Sequence, residues 1–273
     1  AERDKNKNWI IYLKDLRNGG KFIFRAKNLI LALGAGKTPI ALRSLGLKHR
    51  FLGKFEIHPS VRLSIFFPDS IKSNSIVEPF QITGHFPHLM IGSSATRNEL
   101  SESFYPFKKN IHCIDFSYVQ NFYAMAPSNK KGKIFLKGPF KGLKIYSLDD
   151  LARYSLKNGI EIIMKIAKEA NSPFIYNSEM VLDLKVNNSK NLLNKFISTT
   201  INKTLSSVHV MSSAAIGENN RLCPLNSRGK VDGIDNLLVI DQSTMPTCPT
   251  VNPQATSCVI SLINTRYFLN DQK

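Results

Sequence analysis

The stretch LALGAGKTP at residues 31–39 contains GAGKT, a pattern whose residue types could bind the phosphates of a nucleotide. A phosphate-binding loop of the G-x-x-x-x-G-K-[ST] type needs two glycines that bracket a backbone cradle for the phosphate oxygens. Leu31 stands five positions before Gly36, where the first glycine is required. Pro39 directly follows Thr38, lacks an N–H group and disfavours helical geometry in the residue before it. The spacing therefore argues against a nucleotide hydrolase.

Histidines and cysteines could ligate a metal, but their spacing does not form a site. The HFPH stretch at 85–88 has two histidines and no Cys, Asp or Glu set that completes a ligand shell. The four cysteines contain no C-x-x-C pair, which indicates reduced thiols rather than a zinc site or a disulfide framework. We therefore predict no metal. The histidines interpreted as structural or surface residues are His58, His85, His88 and His112.

The richest polar pattern lies near the C-terminus. His209 stands in VHVMSSAAIG, Asp241 directly follows the apolar run that ends at Ile240, and Asn252 precedes Pro253. Taken singly, each has a purely structural interpretation: a lone histidine is usually structural or at the surface, an aspartate can cap or end a strand, and Asn-Pro marks a turn. Their order and spacing are what make them candidates for chemistry.

The hydrophobic pattern predicts α/β elements at both ends of the chain. WIIYLKDLRNGGKFIFRA contains apolar runs broken at NGG, a strong hairpin signal. NLILALGAG is typical of a fully buried parallel strand, and TPIALRSLG predicts a short helix with Pro39 near its start. In VDGIDNLLVID, a turn at Asp232–Gly233 precedes the strand NLLVI. Asp241 then lies at the carboxyl end of this strand, where open α/β sheets bind ligands.

The middle of the chain follows a different pattern. Between about residues 58 and 145, short alternating runs such as VRLSIFF and KIFLKG predict an antiparallel sheet. Helical spacing and a terminal NSP predict a helix over 148–170. Residues 180–205 are rich in Asn, Lys and Ser and predict a loop or return connection. This order indicates one nucleotide-binding domain interrupted by a substrate domain.

Three motif blocks occur in order in the last 65 residues of the chain. The residues concerned are His209, Ser212, Ser213, Ile216 and Gly217 in the first block, Asp241, Ser243 and Pro246 in the second, and Asn252 and Pro253 in the third. This arrangement resembles the C-terminal part of the glucose–methanol–choline (GMC) oxidoreductases, whose pattern is H-x-x-G-T-x-x-M-G, a D-G turn, a strand, D-x-S-x-x-P and a final His or Asn-Pro. The chain departs from that pattern with Ser-Ser in place of Gly-Thr and Ile in place of Met.

The resemblance covers most of the chain. NLILALGAGKTPIALRSLG is similar to the strand–helix segment with which members of the family leave their FAD domain. GKFEIHPSVRLSIFFPD, NFYAMAPSNKKGKIFL and the predicted helix resemble the long-chain alcohol oxidase and cholesterol oxidase-like branch.

The fold that this resemblance implies is α/β plus α+β: the C-terminal part of a Rossmann-like FAD-binding domain, interrupted by an antiparallel-sheet substrate domain. The expected boundaries are 1–57 for a partial FAD-binding domain, 58–205 for the substrate-binding domain and 206–273 for the segment with the active-site residues. Family members hold the ADP part of FAD with an N-terminal G-x-G-x-x-G motif, which occurs nowhere in this sequence. We therefore expect the C-terminal half of a longer or split enzyme.

The resemblance also implies the cofactor and the roles of residues. FAD is the expected cofactor, and the expected reaction oxidises the CH–OH group of an alcohol, with His209 as base and Asn252 as orienting group. These two side chains are expected within a few ångströms of each other, and Asp241 near the ribityl chain of FAD. The predicted cofactor-binding residues are Asp241, Gln242, Asn252, Pro253, Gln254 and Thr256.

Partners and alternatives follow from composition as well as resemblance. The apolar, aromatic middle of the chain favours a bulky or lipophilic alcohol, and the electron acceptor is either O₂ or a carrier.

One alternative is a truncated or split half that is inactive alone and is completed by a partner carrying the G-x-G-x-x-G half. Another is a basic nucleic-acid-binding module. The net charge of +17 is scattered and has no aromatic-interleaved motif, so no specific nucleic acid is predicted. The expected location is the cytoplasm, with peripheral membrane association as the alternative.

Overall fold

The structure, a computed structural model, describes residues 1–67, 81–82, 88–94, 105–106 and 115–271. Helices and sheets are mixed throughout these residues. The chain divides into two compact units, each assembled from separate segments. The first unit comprises Ala1–Ile57, Lys130–Ser147 and His209–Lys273, and the second comprises His58–Asn129 and Leu148–Val208.

The first unit opens with an antiparallel sheet of three strands. Its strands are β1 (Glu2–Arg3), β2 (Trp9–Lys14) and β3 (Lys21–Ala26). The hairpin between β2 and β3 pairs Trp9 with Ala26 and turns at the predicted NGG, where Gly19 has φ +75°. This left-handed conformation favours glycine, which explains why the NGG residues alone were sufficient to predict the hairpin.

The second sheet of this unit pairs distant parts of the chain. It contains β4 (Leu29–Leu31), β15 (Lys230–Val231) and β16 (Ile234–Val239), and β4 runs parallel to β16. The two segments predicted as parallel strands are thus neighbours. The predicted full burial of the first segment is wrong for the described residues, because Ile30 is 46% and Leu33 50% exposed. β4 is the outer strand of the sheet, so one edge has no described neighbour.

Helix α1 (Thr38–Ser44) follows β4, and Pro39 stands near its start as predicted. The third sheet of the unit contains β5 (Lys54–Ile57), β10 (Gly132–Ile134), β11 (Lys144–Ile145) and β14 (Val210–Met211). The sequence boundaries placed 130–147 with the substrate domain, whereas here these residues lie in the first unit. Pairing explains this position: Gly132 lies opposite Phe55, and a side chain on Gly132 would collide with the Phe55 ring.

The second unit is a six-stranded antiparallel sheet backed by two helices. Its strands are β6 (Ser60–Phe66), β7 (Gln81–Ile82), β8 (Met90–Ser93), β9 (Val119–Met125), β12 (Phe174–Tyr176) and β13 (Val181–Asp183). Helix α2 (Asp150–Glu169) coincides closely with the predicted helix, and Asp149 caps its first turn by accepting a hydrogen bond from the Ala152 N–H.

Helix α3 (Lys190–Lys203) occupies a region that the sequence predicted as a loop, so that prediction is wrong. Ser189 caps it by accepting a hydrogen bond from the Leu192 N–H. Phe196, Ile197 and Ile201 are buried on one face, at helical spacing. The abundant Asn, Lys and Ser of the other face concealed this period.

Among the described residues, no helix combines the length and the apolar character that a membrane span needs.

Candidate functional site

The first two motif blocks lie side by side in the first unit. The backbone N–H groups of Ser212, Ala214 and Ile216 donate hydrogen bonds to the carbonyls of Gln242, Ser243 and Thr244 at 3.2, 2.9 and 3.1 Å. Because every second residue from Ser212 to Ile216 donates, these hydrogen bonds fix the register of segment 212–216 against segment 242–244. The chain thus brings together the segment that follows His209 and the segment that follows Asp241.

Asp241 holds three groups by hydrogen bonds to its carboxylate. Oδ2 accepts from the Gly34 N–H at 2.9 Å and from the Thr38 hydroxyl, and Oδ1 accepts from the Ser243 N–H at 2.8 Å. The last contact caps the short 3₁₀ turn Gln242–Thr244. Thr38 is fully buried, and Gly34 has φ +76°. The GAGKT stretch therefore supplies donors to Asp241 within this chain.

These contacts bear on the predicted cofactor role of Asp241. A carboxylate offers about four lone-pair positions, and three of them are used here. By this count one lone-pair position remains for a further hydrogen bond, and contact with a cofactor stays a prediction. Sequence reasoning missed Thr38 and Gly34 as the partners of this carboxylate, because only the parallel pairing of β4 with β16 brings them near it.

Two buried hydroxyls belong to the motif blocks. The Oγ atoms of Ser212 and Ser243 are buried and have no hydrogen-bond partner among the described residues. Ser212 also has φ +63°, a left-handed conformation that favours glycine. This conformation accounts for the glycine that the family pattern carries at this position. The neighbouring Ser213 differs, because its Oγ donates to the Ala35 carbonyl at 2.6 Å.

The remaining predicted site residues flank regular elements of the same unit. His209, half-buried, directly precedes β14, and Asn252, exposed, lies just before helix α4 (Gln254–Asn270). Pro253 is buried at the N-cap, while Gln254 and Thr256 are exposed in the first turn. The first N–H groups of a helix have no intrahelical acceptor, so this turn can donate to a ligand. The convergence of His209 and Asn252 stays a prediction.

Glu56, in β5, is a buried acidic residue that the sequence analysis did not single out. Its carboxylate is buried and pairs with Lys131 at 2.9 Å. The only signal in the sequence was an acid between two apolar residues, Phe55 and Ile57, and such an arrangement in a strand is too common to select Glu56 by pattern alone.

The other histidines are spread over the chain. His58 is buried in the second unit and His88 is exposed. His85, His112 and Cys113 lie outside the described residues. Within the part of the chain that the structure describes, no three His, Cys, Asp or Glu side chains come together as metal ligands.

Known proteins are similar to this chain in the region that contains the motif blocks. A family model described as GMC oxidoreductase matches residues 145–261, which include all three blocks. The chain is 24% identical to a long-chain-alcohol oxidase of Arabidopsis thaliana over 267 residues, covering 86% of this chain and 36% of that protein. It is also 24% identical to an uncharacterized GMC-type oxidoreductase of Sinorhizobium fredii, covering 85% of this chain and 47% of that protein. The predicted resemblance to the GMC oxidoreductases is confirmed.

A solved structure shows a similar fold. The crystal structure of pyridoxine 4-oxidase from Mesorbium loti superposes with a TM-score of 0.60 at 14% identity, and the match covers 94% of this chain and 54% of that one. The chain thus spans between about a third and a half of the length of the two relatives above.

Proposed function

We propose that this chain is the C-terminal half of a GMC-type, FAD-dependent oxidoreductase that oxidises the CH–OH group of an alcohol. The observation that carries the proposal is the family match over 145–261, which contains His209, Asp241 and Asn252 in the expected order. The similarity to a long-chain-alcohol oxidase supports an alcohol as substrate. Because the chain covers only part of its relatives, the activity is assigned to the complete enzyme.

The proposed roles follow from the chemistry of a carbinol. Its carbon releases hydride readily only as the hydroxyl proton leaves, so a base must lie within hydrogen-bond reach of the oxygen. His209 takes this proton, since imidazole titrates near neutral pH. The Asn252 amide orients the hydroxyl and stabilises the developing alkoxide. The bound flavin supplies the hydride acceptor, and the protein supplies position and electrostatics.

The residues present fit one part of such a cofactor. Two buried hydroxyls, on Ser212 and Ser243, have no partner within the described part of the chain and can bond to a polar ligand. The N-terminal turn of α4 presents backbone donors next to Asn252, and its Gln254 and Thr256 are exposed. The proposed flavin contacts are Asp241, Gln242, Asn252, Pro253, Gln254 and Thr256. The ADP part requires the G-x-G-x-x-G element, which another segment must provide.

Alcohol-dependent dye reduction by the complete enzyme tests these roles. We expect His209→Ala to lower kcat by about a hundredfold to ten-thousandfold, as for the loss of a general base. Asn252→Ala removes one bond to a developing charge and should lower kcat by about a hundredfold to a thousandfold. Both variants should keep the flavin. Wild-type rates in His209→Ala would refute the base assignment.

The substrate class is proposed to be a bulky or lipophilic alcohol, with O₂ or an electron carrier as acceptor. Support comes from the apolar middle segment of the sequence and from the long-chain-alcohol oxidase among the relatives. Comparing kcat/KM for primary alcohols of increasing chain length tests this class. Values that fall with chain length, or that are highest for a sugar, would contradict it.

A split enzyme is the second candidate, in which a separate chain carries the G-x-G-x-x-G half. Several apolar side chains of the first unit are exposed, as expected for a surface that another protein segment covers. Co-expression with a chain that carries the glycine motif should yield a flavin-containing complex, whereas this chain alone should retain no flavin. Flavin bound by the chain alone would exclude the split form.

A further inference from the structure

Glu56 is a buried charged residue between two apolar neighbours in β5. It is 5% exposed, and its neighbours Phe55 and Ile57 pack in a hydrophobic cluster with Ile134. A carboxylate removed from water is costly unless charges and hydrogen bonds compensate it. The groups that provide this compensation indicate what the carboxylate holds in place.

Three groups contact this carboxylate. Its Oε1 pairs with the Lys131 ammonium at 2.9 Å. Its Oε2 accepts hydrogen bonds from the Cys248 N–H at 2.6 Å and from the Thr247 hydroxyl at 3.1 Å. Two of the three contacts therefore go to consecutive residues of one segment, residues 245–253, which contains no helix or strand and leads into α4.

Glu56 lies between the segments that carry the two proposed catalytic residues. Its strand pairs with β14, and Met211 lies opposite Glu56 in the register. His209 is two residues before Met211, and Asn252 is four residues after Cys248. The carboxylate thus links the strand next to His209 with the segment that ends at Asn252.

We propose that Glu56 is a positioning residue, which anchors the 247–248 segment to β5 so that Asn252 keeps its place relative to His209. The inference rests on the proposed function, since Glu56 acts through Asn252. Displacement of a reacting group by about 1 Å can lower a rate about a hundredfold, so an anchor of this kind affects kcat without touching the substrate.

The Cys248 thiol reports on this anchor independently of catalysis. Burial, together with the Glu56 charge, raises the pKa of the Cys248 thiol to about 12. The thiol also contacts the Ile57 carbonyl at 3.7 Å. Alkylating reagents attack the thiolate, so an anchored Cys248 should react slowly at pH 8. Cys258, in helix α4, provides an internal reference within the same protein, because the ratio of the two modifications is compared only between variants.

The experiment combines labelling with kinetics in the complete enzyme. Iodoacetamide labelling at pH 8, measured by peptide mass spectrometry, gives the ratio of Cys248 to Cys258 modification. We expect Glu56→Ala to raise this ratio about tenfold or more, because bonds to a charged acceptor are lost. Glu56→Gln keeps one acceptor oxygen and should give an intermediate ratio. The control Val231→Ala, in another hydrophobic cluster of the unit, should leave the ratio unchanged.

The kinetic expectation separates positioning from general stability. Glu56→Ala should lower kcat about tenfold to a hundredfold with little change in KM, and Glu56→Gln should restore part of this loss. Val231→Ala should leave kcat unchanged at a temperature where the protein is folded.

Two results would overturn the inference: an unchanged labelling ratio in Glu56→Ala, or a raised ratio with wild-type kcat. The proposed function would fail differently, with wild-type activity in His209→Ala. Failure of the Glu56 inference alone would leave the His209→Ala defect in place.

Discussion

At the residue scale, the carboxylate of Asp241 joins two parts of the chain that lie 207 positions apart in sequence. It receives the Gly34 N–H and the Thr38 hydroxyl on one oxygen and the Ser243 N–H on the other. Hydrogen bonds to a charged group are stronger than those between neutral groups. Asp241 therefore holds the turn between β4 and α1, which contains GAGKT, against the second motif block.

Replacing this carboxylate should lower stability. Asp241→Asn puts an amide in place of one acceptor oxygen and removes the charge, so we expect a loss of about 1–3 kcal/mol in the free energy of unfolding. Urea denaturation of the complete enzyme measures it, and Asp241→Ala should also weaken flavin retention. Asp235→Asn, at an exposed position of β16, is the control and should change stability by less than about 0.5 kcal/mol. Equal effects of the two Asn variants would contradict the assigned role.

The two serines of the first motif block should respond oppositely to glycine. Ser212→Gly relieves a left-handed backbone and removes a buried hydroxyl without a described partner, so it should stabilise by up to about 1 kcal/mol. Ser213→Gly loses the hydrogen bond to the Ala35 carbonyl and should destabilise by about 1–2 kcal/mol. Thermal unfolding of the pair provides the test. A loss of stability in Ser212→Gly as large as that in Ser213→Gly would show that the Ser212 hydroxyl is satisfied.

At the scale of elements, helix α2 stabilises the second unit by packing on its sheet. Its buried face includes Leu156, Ile160 and Ile163, which belong to the same cluster as Val61 and Leu63 of β6. Gly159 lies on this face and is a poor helix former. Close packing against the sheet explains why glycine stands here, because a Cβ atom would lie 2.5 Å from the Ala124 Cβ and 3.0 Å from the Leu89 side chain.

Gly159→Ala should therefore destabilise the protein although alanine is the better helix former. Helix propensity favours alanine by about 1 kcal/mol, but overpacking against a strand costs about 1–3 kcal/mol. We expect a net loss in the free energy of unfolding, measured by chemical denaturation. Lys165→Ala, at an exposed position of the same helix, should be neutral or slightly stabilising. A more stable Gly159→Ala variant would show that the helix can shift away from the sheet.

At the scale of the whole molecule, the motif blocks all fall in the first unit, and so do most of the exposed large apolar side chains among the described residues. On helix α4 these include Val259, Leu262, Ile263 and Leu269. Apolar residues clustered on an exposed helix commonly mark a contact surface. The chain spans only part of the length of its relatives. We propose that the half carrying the glycine motif covers this apolar face of α4.

A charge on this helix should block assembly without unfolding the chain. Leu262→Glu places a carboxylate on the exposed surface, so it should change the stability of the chain alone by less than about 0.5 kcal/mol. In co-expression with the glycine-motif half, it should abolish co-purification. Asn270→Lys, also exposed on α4, should co-purify as the wild type does. Equal recovery of both complexes would place the contact elsewhere.

Local signals in the sequence were enough to predict several features of this protein. Turn residues predicted the NGG hairpin, and helical spacing predicted α2. The order and spacing of residues identified the three motif blocks without knowledge of any distant contact. The partners of Asp241 and of Glu56 depend instead on which strands pair. The placement of 130–147 and the helix at 190–203 likewise depend on burial against distant residues. Such contacts join positions far apart in the chain, and only the tertiary structure decides them. A local sequence pattern indicates which face of a helix or strand is buried, but it does not indicate which other element packs against that face.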